Sequence, residues 1–271
     1  MKKLEISFSD EEIRLFLDRI KAVKSPLSVD FLHSIVSGII EHIPFQNISM
    51  LTNEWSRPSG NMIKEDMLSG LGGLCTVRNP FLHQFLKALG FDVIFVSSTM
   101  KEPDCHISLI VKIDQEDWWV DVGNGYPYFE PIRLGDDCIK SNWFMKYQLK
   151  SQKNRYFVHH KLNGKNWELN HHFSPTSVDF SVFDRMHELH YSVPGWGPFL
   201  IGLRVNRFWE NGGVIIRDER AFSPEGETIL DDEDKLKSWL SKWFINSGFT
   251  DSIDVGRANK IWREERRKWL I

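Results

Sequence analysis

The chain has 271 residues, 41% of them hydrophobic and 26% charged, with a formal net charge of −3. That length suits one large domain or two to three packed subdomains, and the composition is that of a globular protein. A slightly acidic chain without a long basic run argues against a nucleic-acid partner, and no apolar run approaches the roughly 20 residues of a membrane helix.

The opening stretch MKKLEISFSDEEIRLFL turns acidic after two lysines and lacks an unbroken apolar core, so it does not read as a secretory signal. Cys75, Cys105 and Cys138 make an odd set without regular spacing or a CxxC pair, which is a poor disulfide framework and no zinc signature. The expectation is a cytoplasmic protein with reduced thiols, no metal and no membrane attachment. Eleven tryptophans and nineteen phenylalanines would build a thick aromatic core or line an apolar pocket.

The first third reads as helical. Ser9 followed by Glu12 is a capping box, and Ile13, Phe16, Leu17 and Ile20 recur at helical spacing after it. A second helix is predicted from Ser28 to His42, with Phe31, Leu32, Ile35, Ile39 and Ile40 as its stripe and Pro44 as its stop. A third follows Cys75, with Phe81, Leu82, Phe85, Leu86 and Leu89 on one side and Gly90 as its C-cap. From Phe91 the runs FDVIFVSSTM, HISLIVKI and WWVDVG are short, β-branched and aromatic, and read as strands. Further strands follow to Phe173, with Asn163-Gly164 as a hairpin turn signal. Beyond Ser181 the patterns mix: FLIGLRVNRFW reads as helix running into strand, GGVIIRDERAF as strand, and DDEDKLKSWLSKWF as an acid-capped helix. The predicted fold class is α+β, with a helical bundle at 1–90, a mostly antiparallel sheet or barrel at 91–180, and a small mixed α/β lobe at 181–271.

The chemistry concentrates at GLGGLCTVRNPF, Gly70 to Phe81. A thiol attacks as thiolate, and a helix N-terminus, an imidazolium or a cation favours that form. Gly72 and Gly73 permit a tight turn, and the helix that follows offers free N–H groups beside Cys75. Pro80 would remove one helical hydrogen bond, to the Thr76 carbonyl, and leave the first turn irregular. His106 opens the second strand of the sheet region and Asp121 ends the third. If those strands are antiparallel neighbours, the carboxylate comes beside the imidazole and fixes its tautomer. Taken singly, a strand-end histidine and an aspartate before Gly123 have ordinary structural roles; with Cys75 they make a nucleophile, a base and an orienting acid. The pairs His159-His160 and His171-His172 point to opposite faces of a strand, so neither is a chelate and both read as solvated strand histidines. Gly123-Asn124-Gly125 matches a fragment of glycine-rich phosphate loops.

Taken in order, these residues resemble the arylamine N-acetyltransferase family. Its R-G-G-x-C element falls on Leu71-Gly72-Gly73-Leu74-Cys75 and its following asparagine on Asn79. Its strand-head histidine falls on His106, its D-V-G-x-G element on Asp121 to Gly125, and its P-F-E-N element on Pro44 to Asn47. Its S-T-x-P-x-S-P-F element falls loosely on Ser192 to Phe199, so that the likeness runs from about residue 5 to about residue 222. The resemblance implies a helical bundle, a β-barrel and an α/β lid around a cysteine-protease-like core, with Cys75, His106 and Asp121 as triad. It implies transfer of an acetyl group from acetyl-CoA through a cysteine thioester to an arylamine or arylhydrazine. Gly123, Asn124 and Gly125 would then contact coenzyme A. Other readings of the same residues are a related Cys-His-Asp amide synthase or thiol hydrolase, or a divergent binder of small aromatic ligands.

The chain departs from the family at Leu71 and Gln46, where a buried charged pair is understood to sit. The two positions are expected to share one environment, in which an arginine restored at 71 alone would be buried without a partner. It departs again at Thr76-Val77, which replace an aromatic–acidic pair, and at Val193 and Gly197, which replace hydroxyl residues associated with the coenzyme.

Overall fold

The computed structural model describes residues 4–53, 55–244 and 254–270; residues 1–3, 54, 245–253 and 271 of the three predicted segments lie outside the described residues. Ser9 caps α1 (Asp10–Arg19) as its sequence requires: its hydroxyl accepts from the Glu12 N–H at 3.2 Å, and the Glu12 carboxylate accepts from the Ser9 N–H at 2.7 Å. The Ser28 hydroxyl caps α2 (Val29–His42), accepting from the Phe31 N–H at 3.1 Å, and the helix ends before Pro44. A two-residue strand β1 (Phe45–Gln46) follows, then the short helices α3 (Ile48–Thr52) and α4 (Gly60–Leu68), and then α5 (Cys75–Leu89), closed by Gly90 at φ 100°.

The strands come next in chain order: β2 (Asp92–Thr99), β3 (His106–Ile113), β4 (Glu116–Val120), β5 (Ile132–Arg133), β6 (Lys140–Ser141), β7 (Met145–Gln152), β8 (Arg155–Leu162) and β9 (Glu168–Phe173). They pair antiparallel in the order β5-β4-β3-β2-β9-β8-β7-β6, a curled half-barrel sheet with β5 and β6 as its edges. A 3₁₀ turn (Phe180–Phe183) leads into α6 (Asp184–Ser192). A second antiparallel sheet then forms from β10 (Arg204–Trp209), β11 (Gly212–Arg217), β12 (Arg220–Ser223) and β13 (Gly226–Ile229), with α7 (Glu233–Trp243) and α8 (Val255–Trp269) packed on it. Its outer strand beside β10 is β1, so a sheet of the C-terminal lobe begins within the N-terminal third.

One expectation about these elements needs correction. Residues 199–202 do not form a helix: the backbone bends there, and the Asn47 amide donates to the carbonyls of Phe199 (2.5 Å) and Gly202 (2.7 Å). Asn163-Gly164 turns the chain between the antiparallel strands β8 and β9 as the sequence suggests, at the start of a five-residue connection, 163–167. Two-residue hairpins of this sheet lie at Asp114-Gln115 and Lys153-Asn154, all four residues at positive φ.

Much of the aromatic content is core. Phe16 meets Phe81 edge-on at 4.7 Å and Phe85 at 4.9 Å, locking α1 to α5. All three rings are fully buried, and truncating any one would cost about 3–5 kcal/mol. The other side of α5 packs on β2 and β3, which fixes the end of α5 carrying Cys75 against the head of β3.

Leu71 and Gln46 are both buried and line one cavity of about 250 Å³ beneath the glycine turn. Gln46 is tied to Ser49 through both ends of its amide, at 2.5 and 3.1 Å. The same cavity also holds Asp66, whose carboxyl is pushed up to about 7 by burial and by neighbouring Glu65. An arginine at 71 would therefore find a carboxylate, which corrects the expectation of an unpaired charge. Leu71→Arg is expected to cost less than the roughly 3–5 kcal/mol of an uncompensated buried ion. Asp66→Asn should lower Tm more in the Leu71→Arg background than in the parent. Thermal melts of the four proteins check this, and additive shifts would show that the two side chains do not meet.

Candidate active site

The nucleophile turn is held by β1. Gly72 lies at φ +76°, and a Cβ there would collide with the Pro44 carbonyl oxygen. The Gly73 N–H donates to that same carbonyl at 3.3 Å, and the Gly73 carbonyl accepts from the Gln46 N–H at 3.2 Å. The chain then turns into α5 with Leu74 as N-cap, its carbonyl accepting from the N–H groups of Val77 (3.0 Å) and Arg78 (2.9 Å). Cys75 is thus the first helical residue, where backbone N–H groups lack intrahelical partners and the helix dipole is positive. Pro80 sits inside the helix without ending it. Thr76, just past the cysteine, is hydrogen-bonded through its hydroxyl to Tyr191 at 2.8 Å.

β3 and β4 are antiparallel neighbours, with Leu109 opposite Val120, so the chain leaving β4 returns to the head of β3. There the Asp121 Oδ2 meets His106 Nε2 at 2.6 Å, both side chains buried. Cys75 lines the same cavity as this imidazole and contributes to its electrostatics, and with Nε2 engaged by Asp121 the nitrogen left for it is Nδ1. Burial pushes the His106 imidazolium down, but the Asp121 carboxylate, with help from Cys75, more than offsets this and raises it to about 10. Burial likewise opposes the Asp121 charge, and His106 overrides it, leaving the carboxyl below its ordinary value. The three side chains singled out in the sequence are therefore brought together, Asp121 and His106 by a hydrogen bond and Cys75 beside them on the cavity.

Several supports surround them. Asp121 Oδ1 accepts from Asn79 Nδ2 (2.9 Å) and from the Gly123 N–H (2.9 Å). Asn79 also donates to the Ile107 carbonyl (2.6 Å) and accepts from the Val122 N–H (3.0 Å), clamping α5 to both strands. Arg78, which the sequence reading passed over, is fully buried. Its guanidinium donates to the carbonyls of Val122 (2.5 Å), Ile43 (2.5 Å) and Ile39 (3.4 Å). Burial lowers it to about 9 against the pull of Asp121, so it stays charged near neutral pH. The only sequence signal for it was a charged residue on a helix otherwise apolar around its first turns.

The histidine pairs split across the sheet as alternation requires, but the inward members are not solvated. His160 and His171 are buried, and the His171 ring centre lies 5.1 Å from that of His106. His171 Nδ1 bonds Asn170 Oδ1 at 2.7 Å, and burial, then the His106 charge, lowers the ring to about 3. One donor atom each of His106, Asp121 and His171 lies within 4.8 Å of the others. Since His106 Nε2 and Asp121 Oδ2 already bind each other, a cation there would compete with that pair.

Cys75 and His106 open into a cavity of about 240 Å³, walled by Phe45, Trp196, Phe199 and His190. Gly123 and Asn124 form part of its lining. Gly123 is glycine for a packing reason: a Cβ there would lie 2.6 Å from Cys75 Cα and from Asn79 Nδ2. Its N–H is already given to Asp121, and the Gly125 carbonyl accepts from Asn206 Nδ2 at 2.8 Å. Gly197 lines the cavity, whereas Val193 is 41% exposed.

Comparison with known proteins agrees with this geometry. The sequence profile described as N-acetyltransferase matches residues 28–247. An uncharacterized acetyltransferase, YvcN, from Bacillus subtilis (strain 168) is 24% identical over 74% of this chain and 82% of its own length. The arylamine N-acetyltransferase of Salmonella typhimurium superposes with a TM-score of 0.81 at 17% identity, covering 95% of this chain and all (100%) of that one. The Mycobacterium marinum arylamine N-acetyltransferase in complex with CoA gives 0.79 at 19% identity, covering 93% and 98%. At these identities the structures speak for the fold, and the profile, matched over most of the chain, decides the lineage. The chain belongs to the arylamine N-acetyltransferase family.

Proposed function

We propose that this acetyltransferase moves an acetyl group from acetyl-CoA, through a thioester on Cys75, to the nitrogen of an arylamine or arylhydrazine. The observation that carries the reading is the series Cys75–His106–Asp121 at the base of an aromatic-walled cavity. His106, held well above its ordinary value by Asp121, carries the proton at Nδ1 beside the Cys75 thiolate, and that thiolate attacks the acetyl carbonyl. The oxyanion forms beside the start of α5, where the Cys75 N–H is a free donor. As the intermediate collapses, His106 returns its proton to the departing coenzyme A sulfur, leaving acetyl-Cys75. The amine then attacks the thioester, His106 accepts its proton, and Cys75 leaves. Asp121 keeps Nε2 engaged throughout, so Nδ1 always faces the reacting atoms.

Coenzyme A is assigned to the cavity mouth, with Gly123 and Asn124 in its lining and Gly125 behind them against the Phe45 ring. Because the Gly123 N–H is committed to Asp121, the contact there is one of shape, with no phosphate cradle on that amide. The M. marinum enzyme in complex with CoA supports a coenzyme donor in this fold. Among the described residues no helix is long and apolar enough to cross a membrane.

The reading is tested by brief exposure to acetyl-CoA and intact-mass measurement. One acetyl group should appear on the parent and none on Cys75→Ala, and its loss should be hastened by an aryl amine over water. A parent that gains no acetyl group, or loses it equally fast to water, would sink the proposal. Asp121→Asn should fold and lose on the order of 10³-fold or more in kcat, because an amide can donate where the carboxylate only accepts. Near-native turnover by the folded variant would refute the triad role. Limiting iodoacetamide should label Cys75 ahead of the more exposed Cys105 and Cys138, as peptide mapping would read out. Preferential labelling of either of the others would overturn the assignment of the nucleophile.

A further inference from the structure

α6 carries two buried histidines one turn apart, and their surroundings differ. His187 Nδ1 donates to the Phe183 carbonyl at 2.7 Å, the ordinary arrangement of a structural histidine. His190 is 6% exposed, yet among the described residues neither of its ring nitrogens has a hydrogen-bond partner. Its ring lies flat on Phe199, 5.0 Å between centres and 15° between planes, with Trp196 at 5.6 Å. It faces the same cavity as Cys75 and His106. A buried polar group without a partner is a standing cost, and the space that this ring lines is the reaction cavity. An apolar aromatic would stack on Phe199 equally well.

Burial, with smaller contributions from His187 and His106, lowers this ring to about 3, so it is neutral near pH 7. A neutral imidazole has one N–H and one lone pair, and here no neighbour pins the tautomer. It can therefore donate or accept at the nitrogen that meets the ligand. The complementary group is neutral and does both, as a hydroxyl does. A carboxylate would be desolvated against an uncharged ring, and an ammonium would find no counter-charge on it.

We infer that His190 reads the acyl acceptor, hydrogen-bonding a hydroxyl carried on the ring of an aryl amine that slides between Phe199 and Trp196. The word acceptor rests on the acyl-transfer reading; the binding of a hydroxylated aryl amine does not. Phe45, on the cavity wall with Phe199 6.1 Å away, completes an aromatic slot beside this unpartnered imidazole.

The test compares each aminophenol with the methylaniline of the same substitution, 3- and 4-isomers, using p-nitrophenyl acetate as donor so that coenzyme binding plays no part. In the parent, kcat/KM should favour the hydroxyl over the methyl compound by about tenfold for one isomer, more than ring electronics gives in His190→Phe. His190→Phe keeps the stack and loses both nitrogens, so the preference should fall at least fivefold. His190→Gln, which retains a donor and an acceptor, should keep part of it. Melting temperatures establish that both variants fold. A preference unchanged in His190→Phe overturns the inference, and so does a change confined to KM for acetyl-CoA, which would make His190 a donor contact. Calorimetric Kd values for the same pairs, on Cys75→Ala with and without His190→Phe, keep the question separate from turnover. A hydroxyl preference in Kd that His190→Phe abolishes upholds the inference even if the parent acetylates no amine. Equal Kd shifts for both members of each pair would end it.

Discussion

A carboxylate with 1% exposure survives in a protein interior only if its charge is met on every side, and Asp121 sets that demand on this fold. His106 meets one oxygen; Asn79 and the Gly123 N–H meet the other. Arg78 adds a buried cation nearby, itself held by three carbonyls. Two of those carbonyls, of Ile39 and Ile43, lie at the negative end of α2, where a cation is favoured in any case. With Arg78 and Asp121 balanced, the Cys75–His106 pair can exchange a proton without leaving a net charge in the interior. Electrostatic neutrality of the site and the placement of the thiol are here the same arrangement, and Asn79, Arg78 and Cys75 reach it because one helix carries all three.

That helix must enter the site at a fixed angle, and the short strand β1 fixes it. Its backbone binds the glycine turn on one side and β10 on the other. Asn47, immediately after it, donates to the carbonyls of Phe199 and Gly202 and accepts from the Arg204 N–H at 2.8 Å. The nucleophile turn and the aromatic wall of the cavity are thus hung from adjacent residues of one segment. A shift in either would move the other, which suits a site where a flat substrate must meet the thiol within bonding distance.

The neutral residues at 71 and 46 fit the same logic. Gln46 satisfies its amide on Ser49, so no unpaired polar group remains on its side of the cavity. The acid left in that space is Asp66, partly exposed, whose proton affinity rises with burial in place of a partner. The interior charge near the nucleophile is consequently concentrated on Arg78 and Asp121.

Local chemistry determined what the sequence by itself could decide. Caps at Ser9, Ser28 and Asp232, the apolar stripes of α1, α2 and α5, and the β-branched runs of β2 to β4 depend on neighbours within a few residues. The glycine turn before Cys75, and the strand-end positions of His106 and Asp121, were legible for the same reason, since each strand pairs with its neighbour in the chain. α3, α4, α6 and α8 were not foreseen, because their apolar positions are few and their helicity is supplied by packing. The tight turns at Asp114-Gln115 and Lys153-Asn154 lack the glycine that usually marks them. Only the tertiary structure could show that Arg78 is a buried cation, that His171 stands beside His106, that Asn47 bends residues 199–202 out of a helix, and that His190 faces the cavity with both nitrogens free. The partners involved lie as much as 155 residues apart in the chain, and burial, which gives a polar side chain its meaning, is a property of that packing and is not carried by the residue or its neighbours.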